Sequence, residues 1–401
     1  MSKKKGNDLI KGYEWGRCEN ISTKILFITT IPSTLGGFLL PFASFFQTKG
    51  WTVDAAATGI RSFDECVEAF DNVWDIPWSR NPLDLANLLK APTAIREIVR
   101  QEGYDIVHVH TPVAAFVTRW ALRTERRNKK LKVIYTAHGF HFIKGAPFYK
   151  NLVFIILEKM AGYWTDYLVV INKEDEDAAL KYRLVKKEHL LHMPGIGIDS
   201  AYYDPSNISK NDLNEVRDEL GLNSNENYFL MVGEFNNNKF QSEAVSALSV
   251  LGNPEIHLAF AGNGTIMKNV KNISEDLGIS DRVHFLGYRI DIPRLMKASL
   301  GVLLTSRREG LPRCILEAMS LEVPVIATNI RGARELLEDG AGILYQVGDI
   351  DGLKKALEYI INNPEEAKKM GLNARKDILE KYESSKIIEM HEKLYYRALT
   401  E

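Results

Sequence analysis

Cysteine is scarce in this sequence, and the spacings that metal sites or disulfide frameworks need are missing. The 401 residues include three cysteines, Cys18, Cys66 and Cys314. None belongs to a CxxC pair, and none lies near histidines at the spacing of a zinc site. A sparse, odd count is typical of reduced thiols in a cytoplasmic protein, and it excludes a disulfide-stapled secreted domain.

Long hydrophobic runs and an excess of charge of either sign are also lacking. No stretch reaches the ~18 uninterrupted apolar residues of a membrane-spanning helix, and the polar N-terminus lacks the apolar core of a signal peptide. The 51 basic and 52 acidic residues leave a formal net charge of −1, which argues against nucleic acid as a partner. We therefore expect a cytoplasmic protein that contacts the inner face of a membrane only through a local patch.

A repeated alternation of apolar runs and amphipathic segments is present in both halves. The length favours two domains, and near-continuous β-branched and aromatic runs favour strands covered on both faces. Strands are predicted at 24–30, 51–58, 104–110, 132–138, 167–172, 228–234, 257–261, 283–287, 300–305, 324–328 and 342–345. Helical patterns follow at Glu365–Lys381 and Ser384–Leu399.

Turn residues at 192–205, HMPGIGIDSAYYDP, interrupt this alternation and predict a hinge, with its pivot at 194–199. The sequence thus predicts an extension at 1–20, an N-terminal domain at 21–194 and a C-terminal domain at 195–380. Both domains are α/β, doubly wound and Rossmann-like. Because ligands bind at the carboxyl ends of parallel strands, we expect functional residues where the two sheets face a central cleft.

The most informative segment is SRREGLPRCILEAMSLE, residues 306–322. It follows a predicted strand and opens a helix, with Pro312 predicted as the first helical residue. The free amides of Gly310 and Leu311 then form an anion site suited to a diphosphate. Glu309 and Glu317, separated by seven residues, are placed to contact a sugar and a ribose. A capped helix with a solvated acidic pair is the alternative.

REGLPRCILEAMSLEVPVIAT, residues 308–328, resembles the E-x7-E signature of the family 4 retaining glycosyltransferases, which have the GT-B fold. The resemblance extends over nearly the whole chain from Lys24. Residues 136–175 (TAHGFHF to NKED) and 281–299 (DRVHFLGYRIDIPRLMKAS) are most similar to the branch that builds capsular polysaccharide and exopolysaccharide. The resemblance implies that Glu309 contacts the donor sugar and Glu317 the ribose, and that residues 381–401 form a helix packing back on the N-terminal domain.

Two features of the N-terminal half are further candidates. Gly36 and Gly37 follow the first strand and are predicted to open a helix; the resemblance implies that they face the diphosphate, and a tight turn is the alternative. His138 ends the strand KVIYTAH, where the family has a histidine bonding the donor sugar, although a lone histidine at a strand end is more often structural. His108 and His110 are interpreted mainly as structural or acceptor-side residues.

In the C-terminal half, VGEFNNNKFQ, residues 232–241, resembles the family's diphosphate-binding loop. Gly233 is followed by Glu234 where the family has an arginine, and Lys239 occupies the lysine position. A carboxylate does not pair with phosphate, so Arg307, Arg308 or Arg289 is a candidate for the missing charge. The remaining donor-binding candidates follow other strands, where plain turns or a core tyrosine are the alternatives: Gly262, Tyr288 and Arg289.

A basic run is the candidate surface for anionic lipid, with the apolar segment 148–164 nearby. Its members are Arg119, Arg123, Arg126, Arg127, Lys129, Lys130 and Lys132. A solvated face is the alternative. The resemblance to polymer-building enzymes implies a glycan acceptor linked to a lipid.

The sequence therefore predicts a retaining, metal-independent glycosyltransferase. It is expected to move a hexose or N-acetylhexosamine from a UDP sugar to a glycan, with the nucleotide sugar as co-substrate and no cofactor. The named catalytic residues are Glu309, His138 and Lys239. Two alternatives remain open: a sugar-nucleotide epimerase of the same architecture, and a non-catalytic partner that binds a nucleotide sugar.

Overall fold

A parallel sheet of seven strands forms the N-terminal half. The computed structural model describes residues 23–78, 84, 86–128, 131–142 and 147–401, so the predicted extension lies outside the described ranges. The strand order is β3-β2-β1-β4-β5-β6-β7. The strands are β1 Lys24–Ile28, β2 Thr52–Ala57, β3 Val73–Asp75, β4 Ile106–Val109, β5 Lys132–Ala137, β6 Tyr167–Val170 and β7 Leu190–His192.

Helices cover both faces of this sheet. They are α1 Pro32–Phe38, α2 Leu40–Thr48, α3 Asp64–Ala69, α4 Ala86–Glu102, α5 Pro112–Ala121, α6 Arg123–Arg127, α7 Phe148–Gly162 and α8 Lys173–Tyr182. Alternate residues of β1 belong to different apolar clusters, with Ile25 and Phe27 in one and Leu26 and Ile28 in the other. Burial on both faces explains why the strands are apolar throughout instead of alternating.

The C-terminal half repeats this arrangement with six parallel strands in the order β10-β9-β8-β11-β12-β13. They are β8 Asn227–Val232, β9 Ile256–Ala261, β10 Val283–Gly287, β11 Gly301–Leu304, β12 Val325–Thr328 and β13 Ile343–Tyr345. The helices are α9 Lys210–Glu219, α10 Gln241–Leu251, α11 Met267–Asp276, α12 Ile292–Ala298, α13 Arg313–Ser320, α14 Arg331–Leu337, α15 Ile350–Asn362, α16 Pro364–Asp377 and α17 Ser384–Thr400.

The two predicted doubly wound domains are therefore confirmed. All eleven predicted strands are present, and the predicted helix at Glu365–Lys381 is α16 followed by a π-helical turn, Ile378–Tyr382. The strands β3 and β7 were not predicted because they are three residues long and only partly buried. In each sheet the order reverses between the first and fourth strands, β1 beside β4 and β8 beside β11. Ligands of such sheets bind in the loops that follow these strands.

The chain crosses between the domains twice, and the two crossings lie side by side. The amide of Ile198 donates to the carbonyl of Tyr382 at 2.9 Å, and the amide of Ser384 donates to Ile198 at 3.0 Å. Gly197 has a φ of +79°, and a Cβ there would lie 2.5 Å from Cα of Ser384. Glycine is needed at this position both for its conformation and for the close approach.

The C-terminal helix α17 packs on the N-terminal domain, as predicted. Ile387, Leu394 and Tyr395 belong to the same buried cluster as Phe42 and Phe46 of α2. The ring of Tyr395 lies 5.1 Å from that of Phe46. The last helix therefore joins the core of the first domain.

Candidate active site

The loops that follow β8 and β11 are joined by hydrogen bonds. The hydroxyl of Thr305 donates to the carbonyl of Lys239 at 2.7 Å, and the amide of Arg307 donates to the carbonyl of Asn238 at 2.8 Å. The side chain of Asn238 donates in turn to the carbonyl of Arg308 at 2.8 Å. These bonds bring the predicted catalytic lysine and glutamate to the same place, although 70 residues separate them.

Lys239 and Glu309 form an ion pair, with 2.8 Å between Nζ and Oε1. Both side chains are largely buried. Burial acts to lower the pKa of Lys239, but the negative groups around it, Glu309 foremost, together raise that pKa above its ordinary value. The ammonium is therefore charged at neutral pH, and its stem lies against Gly233, where a Cβ would be 3.2 Å from Cε.

The helix after Glu309 begins one residue later than predicted. Pro312 is the N-cap, with an extended ψ of 115°, and α13 starts at Arg313. Ile315 and Leu316 donate to the carbonyl of Pro312, so the unpaired amides of the helix N-terminus are those of Arg313 and the residue after it. The prediction of Pro312 as the first helical residue was wrong, because the loop stays extended through the proline.

Glu317 projects from α13 and is 8% exposed. Its Oε1 accepts hydrogen bonds from the hydroxyl of Tyr203 at 2.7 Å and from Nε of Arg313 at 2.9 Å. Burial raises the pKa of this carboxyl, and the guanidinium of Arg313 opposes that rise. Oε2 has no partner among the residues in the described ranges, which leaves it available to a ligand hydroxyl.

Gly36 and Gly37 belong to the last turn of α1 and do not open a helix, so that part of the prediction was wrong. The carbonyl of Gly37 accepts a hydrogen bond from Arg313 of the other domain. The guanidinium of Arg313 also lies 5.6 Å from the ring centre of Phe38. The glycine segment therefore meets the start of α13 across the cleft.

His138 follows β5 and approaches the same cleft from the N-terminal domain. Its ring is stacked near Phe38 at 6.3 Å, and its Nε2 lies 3.0 Å from Nδ1 of His110. Burial lowers the pKa of His138 to about 4, assisted by His391, so the imidazole is neutral at pH 7. Its carbonyl packs on Gly310, where a Cβ would lie 1.8 Å from the oxygen.

A cavity of about 330 Å³ lies between the domains at this point. Five predicted site residues line it: His138, Lys239, Glu309, Leu311 and Glu317. The remaining walls include Phe38, Ile171, Cys314 and the hinge residues Gly195, Ile196 and Gly197. The cavity thus combines two cationic side chains, Lys239 and Arg313, with two carboxylates, a neutral imidazole and a helix N-terminus.

A family model described as "Glycosyltransferase Family 4" matches residues 39–194, and one described as "Glycosyl transferases group 1" matches residues 212–377. EpsD of Bacillus subtilis (strain 168), a protein named as a glycosyltransferase, is 34% identical over 374 residues, which cover 92% of this chain and 96% of EpsD. The chain belongs to the family 4 glycosyltransferases.

Other relatives of this glycosyltransferase have more specific names. The UDP-Gal:alpha-D-GlcNAc-diphosphoundecaprenol alpha-1,3-galactosyltransferase of Escherichia coli is 31% identical, with 75% of this chain and 76% of the relative covered. CapM of Staphylococcus aureus, named as a capsular polysaccharide biosynthesis glycosyltransferase, is 25% identical, with 79% and 82% covered. The predicted capsular and exopolysaccharide branch of family 4 is therefore confirmed.

The fold of this glycosyltransferase matches that of HepE from Anabaena, solved in complex with UDP and glucose. The TM-score is 0.79 at 21% identity, and the match covers 94% of this chain and all of HepE. At this identity the likeness concerns the fold, and it confirms the predicted GT-B architecture.

Seven of the nine predicted donor-binding residues of the glycosyltransferase do not line the cavity, and three of them, Gly262, Tyr288 and Arg289, follow β9 and β10. Tyr288 is 79% exposed, and Gly262 packs against the carbonyl of Gly233, where a Cβ would lie 2.0 Å away. Arg289 is held by ion pairs to Asp291, at 2.7 Å, and to Glu219. The structure therefore gives Arg289 partners of its own, and it is a poor replacement for the missing arginine.

Glu234, in the position of that arginine, is exposed and accepts a hydrogen bond from Asn236 at 3.1 Å. Of the other two candidates for the missing charge, Arg307 lies 4.1 Å from the ring centre of Phe240. Arg308 is exposed and has no ion pair within the described ranges. Of the three candidates, Arg308 is therefore the one whose side chain has no ion pair or ring contact within these ranges.

Sequence reasoning missed a buried ion pair between the domains. Nη1 of Arg331, at the start of α14, lies 2.6 Å from Oδ1 of Asp175 in α8, with the side chains 7% and 2% exposed. Arg331 also donates to the carbonyls of Glu309, at 3.1 Å, and Phe140, at 2.8 Å. One guanidinium therefore ties the loop of Glu309 to the loop of His138. No local sequence pattern predicts an ion pair between residues that are 156 positions apart.

A larger cavity of about 440 Å³ lies on the far side of this ion pair, between α7, α8 and α14. Its walls carry charges of both signs, and several of these are already paired, such as Lys173 with Glu176 and Asp177. The predicted catalytic residues line the smaller cavity, which is therefore the candidate active site.

The basic run is only partly a surface. Arg119 is 1% exposed, pairs with Glu158 at 2.9 Å and lies over the ring of Tyr135 at 4.1 Å. Arg126 pairs with Asp166 at 2.9 Å. Both predictions of a solvated or lipid-facing side chain are wrong for Arg119, because its charge is neutralised inside the domain. Lys129 and Lys130 lie outside the described residues, while Arg123 and Arg127 are exposed.

Neither a membrane span nor a cluster of metal ligands occurs in the described ranges. No helix there combines the length and the hydropathy that crossing a bilayer requires. Nor do three or more His, Cys, Asp or Glu side chains in these ranges come together as ligands for a metal ion. Metal independence remains a prediction.

Proposed function

We propose that this family 4 glycosyltransferase transfers a hexose or N-acetylhexosamine from a UDP sugar to a lipid-linked glycan, with retention of anomeric configuration and without a metal ion. The observation that carries the proposal is the Lys239–Glu309 ion pair, 2.8 Å long, in a cavity that both domains line beside the start of α13. The donor class is supported by the UDP-Gal named for the Escherichia coli relative and by the UDP bound to HepE.

The chemistry follows from charge. When the bond between the anomeric carbon and the diphosphate breaks, negative charge grows on the leaving oxygen. Lys239 exchanges Glu309 for this phosphate, and the amides of Arg313 and Cys314 point to the same region. Glu309, released from its partner, accepts hydrogen bonds from the sugar, and Oε2 of Glu317 accepts one from the ribose.

These groups supply the positive charge that a metal ion provides in other transferases, so none is required for the leaving group. The family resemblance implies that the acceptor hydroxyl attacks from the face that the diphosphate leaves, and that the phosphate takes its proton. The chain then needs no nucleophile of its own. Contact between the loops of His138 and Gly310 excludes water that would hydrolyse the donor.

The acceptor class is supported by the name of the Escherichia coli relative, which contains diphosphoundecaprenol, and by a surface of this chain. One face of α7 presents apolar side chains to solvent at helical spacing. They are Phe148, Tyr149, Leu152, Val153, Ile156 and Met160, and the exposed Tyr163 directly follows the helix. Arg126 of α6 donates to the carbonyl of Tyr163 at 2.9 Å, and Arg123 and Arg127 of the same helix are exposed.

We infer that this α7 face inserts into the interface of an anionic membrane on its cytoplasmic side, with the arginines on the lipid headgroups. Co-sedimentation with phosphatidylcholine vesicles containing phosphatidylglycerol tests this. Replacing Phe148 and Ile156 by Ser is expected to abolish binding, whereas Val250→Ser, at an exposed apolar residue of α10, keeps it. Equal binding by all three proteins would show that another surface is responsible.

The enzymatic proposal is tested with a panel of UDP sugars and diphosphoundecaprenol-linked GlcNAc as acceptor. The product is identified by mass spectrometry, its anomeric configuration by proton coupling constants, and metal independence by full activity in EDTA. Glu309→Gln should lower turnover on the order of 10²–10³-fold, while the exposed Glu389→Gln leaves it unchanged. A strict requirement for a metal ion contradicts metal independence, and a product of inverted anomeric configuration contradicts retention.

Two other outcomes identify the alternatives. A UDP sugar that is isomerised without an acceptor indicates an epimerase. Binding of a UDP sugar without turnover of any acceptor indicates a non-catalytic partner, which Glu234 in the arginine position favours.

A further inference from the structure

Three buried histidines, His108, His110 and His391, connect the half-buried His138 of the cavity to the C-terminal helix. His138 is bonded to His110, as described above, and the rings of His110 and His108 lie 4.3 Å apart. Nδ1 of His108 is 2.6 Å from the hydroxyl of Tyr395 in α17, and Nε2 is 2.8 Å from the hydroxyl of Thr136. The ring of His391 lies 5.8 Å from that of His108.

All four imidazoles are neutral. Burial lowers the pKa of His391 to about 4 and those of His108 and His110 well below the ordinary value. A neutral imidazole has one N–H donor and one acceptor nitrogen, so each ring must adopt one of two tautomers. In His391 the hydrogen-bond partner determines the tautomer. Nδ1 lies 2.9 Å from the carbonyl of Ile387, which can only accept a hydrogen bond, so Nδ1 carries the hydrogen.

The tautomer of His110 follows from its other nitrogen. Nε2 of His110 is buried, and no protein group in the described part of the chain bonds to it. If Nε2 carried the hydrogen, a buried N–H would have no acceptor, which folded proteins rarely tolerate. With the hydrogen on Nδ1, His110 donates to Nε2 of His138 at 3.0 Å and only a lone pair stays unpaired.

This decides what His138 offers to a ligand. Because its Nε2 accepts from His110, the hydrogen of the neutral ring lies on Nδ1. That nitrogen has no partner in the described ranges, and His138 lines the cavity. A nucleotide sugar presents many oxygens there, and each of them accepts a hydrogen bond.

We propose that His110 is a positioning residue whose Nδ1–H bond to His138 fixes His138 as the Nδ1–H tautomer, so that His138 donates a hydrogen bond to an oxygen of the donor sugar. The ligand part rests on the proposed function. The tautomer part does not, because it concerns the ligand-free protein.

The tautomer is measured directly by long-range ¹H–¹⁵N correlation on protein labelled at its histidine nitrogens, at pH 7. His138→Gln identifies the signals of His138. The expected result is a protonated Nδ1 and an unprotonated Nε2 for His138. The reverse assignment overturns the proposal, whether or not the protein has transferase activity.

Kinetics test the ligand part. His110→Leu is expected to lower kcat/KM for the UDP sugar about tenfold, the effect of one hydrogen bond, and to leave the affinity for UDP within about twofold. His110→Asn, whose amide can donate from a similar position, should restore most of the activity and the Nδ1–H signal. An equal loss for UDP, or no rescue by Asn in a folded variant, contradicts the assignment to a sugar oxygen.

Discussion

Gly310→Ala is the substitution whose effect the geometry defines most sharply. Gly310 lies between Glu309 and α13, and it touches the carbonyl of His138 across the cleft. A Cβ at residue 310 would be 1.8 Å from that oxygen. Ordinary contact begins at 3.4 Å, so the two loops must separate by about 1.6 Å. The φ of Gly310 is not in the left-handed region, so the clash is the only cost.

A displacement of this size acts on the chemistry more than on folding. Misplacing reacting groups by ~1 Å can cost ~10²-fold in rate, so we expect kcat for sugar transfer to fall about 100-fold. The two domains keep separate cores, since their buried clusters are formed within each half and by α17. The urea midpoint of unfolding should therefore change little.

Gly278→Ala is the matched control. Gly278 has a φ of +67°, and no atom lies within 4 Å of the position that an alanine methyl group would take there. Alanine in this conformation costs ~1 kcal/mol, so stability should fall while kcat is unchanged. The assay compares kcat at saturating donor with the urea midpoint for both variants. Full kcat in Gly310→Ala would refute the claim that these loops must touch for turnover.

Three further predictions concern charged and buried groups. Lys239→Met should weaken UDP binding ~10- to 100-fold in calorimetry, because a charge-assisted bond to the diphosphate is lost; an unchanged affinity places the diphosphate elsewhere. Burial lowers the pKa of His138 and His391 to about 4, so the unfolded chain binds more protons than the folded chain between pH 6.5 and 4. The free energy of unfolding should therefore decrease as the pH is lowered through that window, by up to ~3 kcal/mol per histidine. A urea midpoint that does not change with pH contradicts this. Arg331→Met should lower the free energy of unfolding by ~3 kcal/mol, because the Asp175 carboxylate then stays buried without its ion-pair partner. The double variant with Asp175→Asn should recover part of this loss. If the effects of the two substitutions add strictly, the pair is not coupled.

Much of the fold is readable in the sequence because its signals are local. An apolar run such as 104–110 predicts a strand whatever surrounds it, and a doubly wound sheet places the loops after its strands at one edge. Glu309, Lys239 and His138 all follow strands, so three candidates could be named without coordinates. The short strands β3 and β7 were not predicted, because partly buried strands need few apolar residues and leave little pattern in the sequence.

The helix start at Pro312 shows the limit of local rules. Proline suits both the N-cap region and the first turn, and the choice depends on how the loop packs. The contact between Gly310 and His138 and the hydrogen bond from Asn238 to the carbonyl of Arg308 hold this loop extended. Likewise, a basic run predicts a solvated surface. In the folded chain, however, Arg119 is buried because it pairs with Glu158 and lies over an aromatic ring inside the domain.

The sequence by itself determined the two-domain α/β architecture, the family and the candidate residues of the donor site. Only the tertiary structure decided which of them meet in one cavity, that Arg331 ties the two catalytic loops together, and that His110 sets the hydrogen bond of His138. The physical reason is distance along the chain. Hydrophobic periodicity acts over a few residues, whereas the pairs that shape this site are 28 to 156 residues apart and exist only after both sheets have formed.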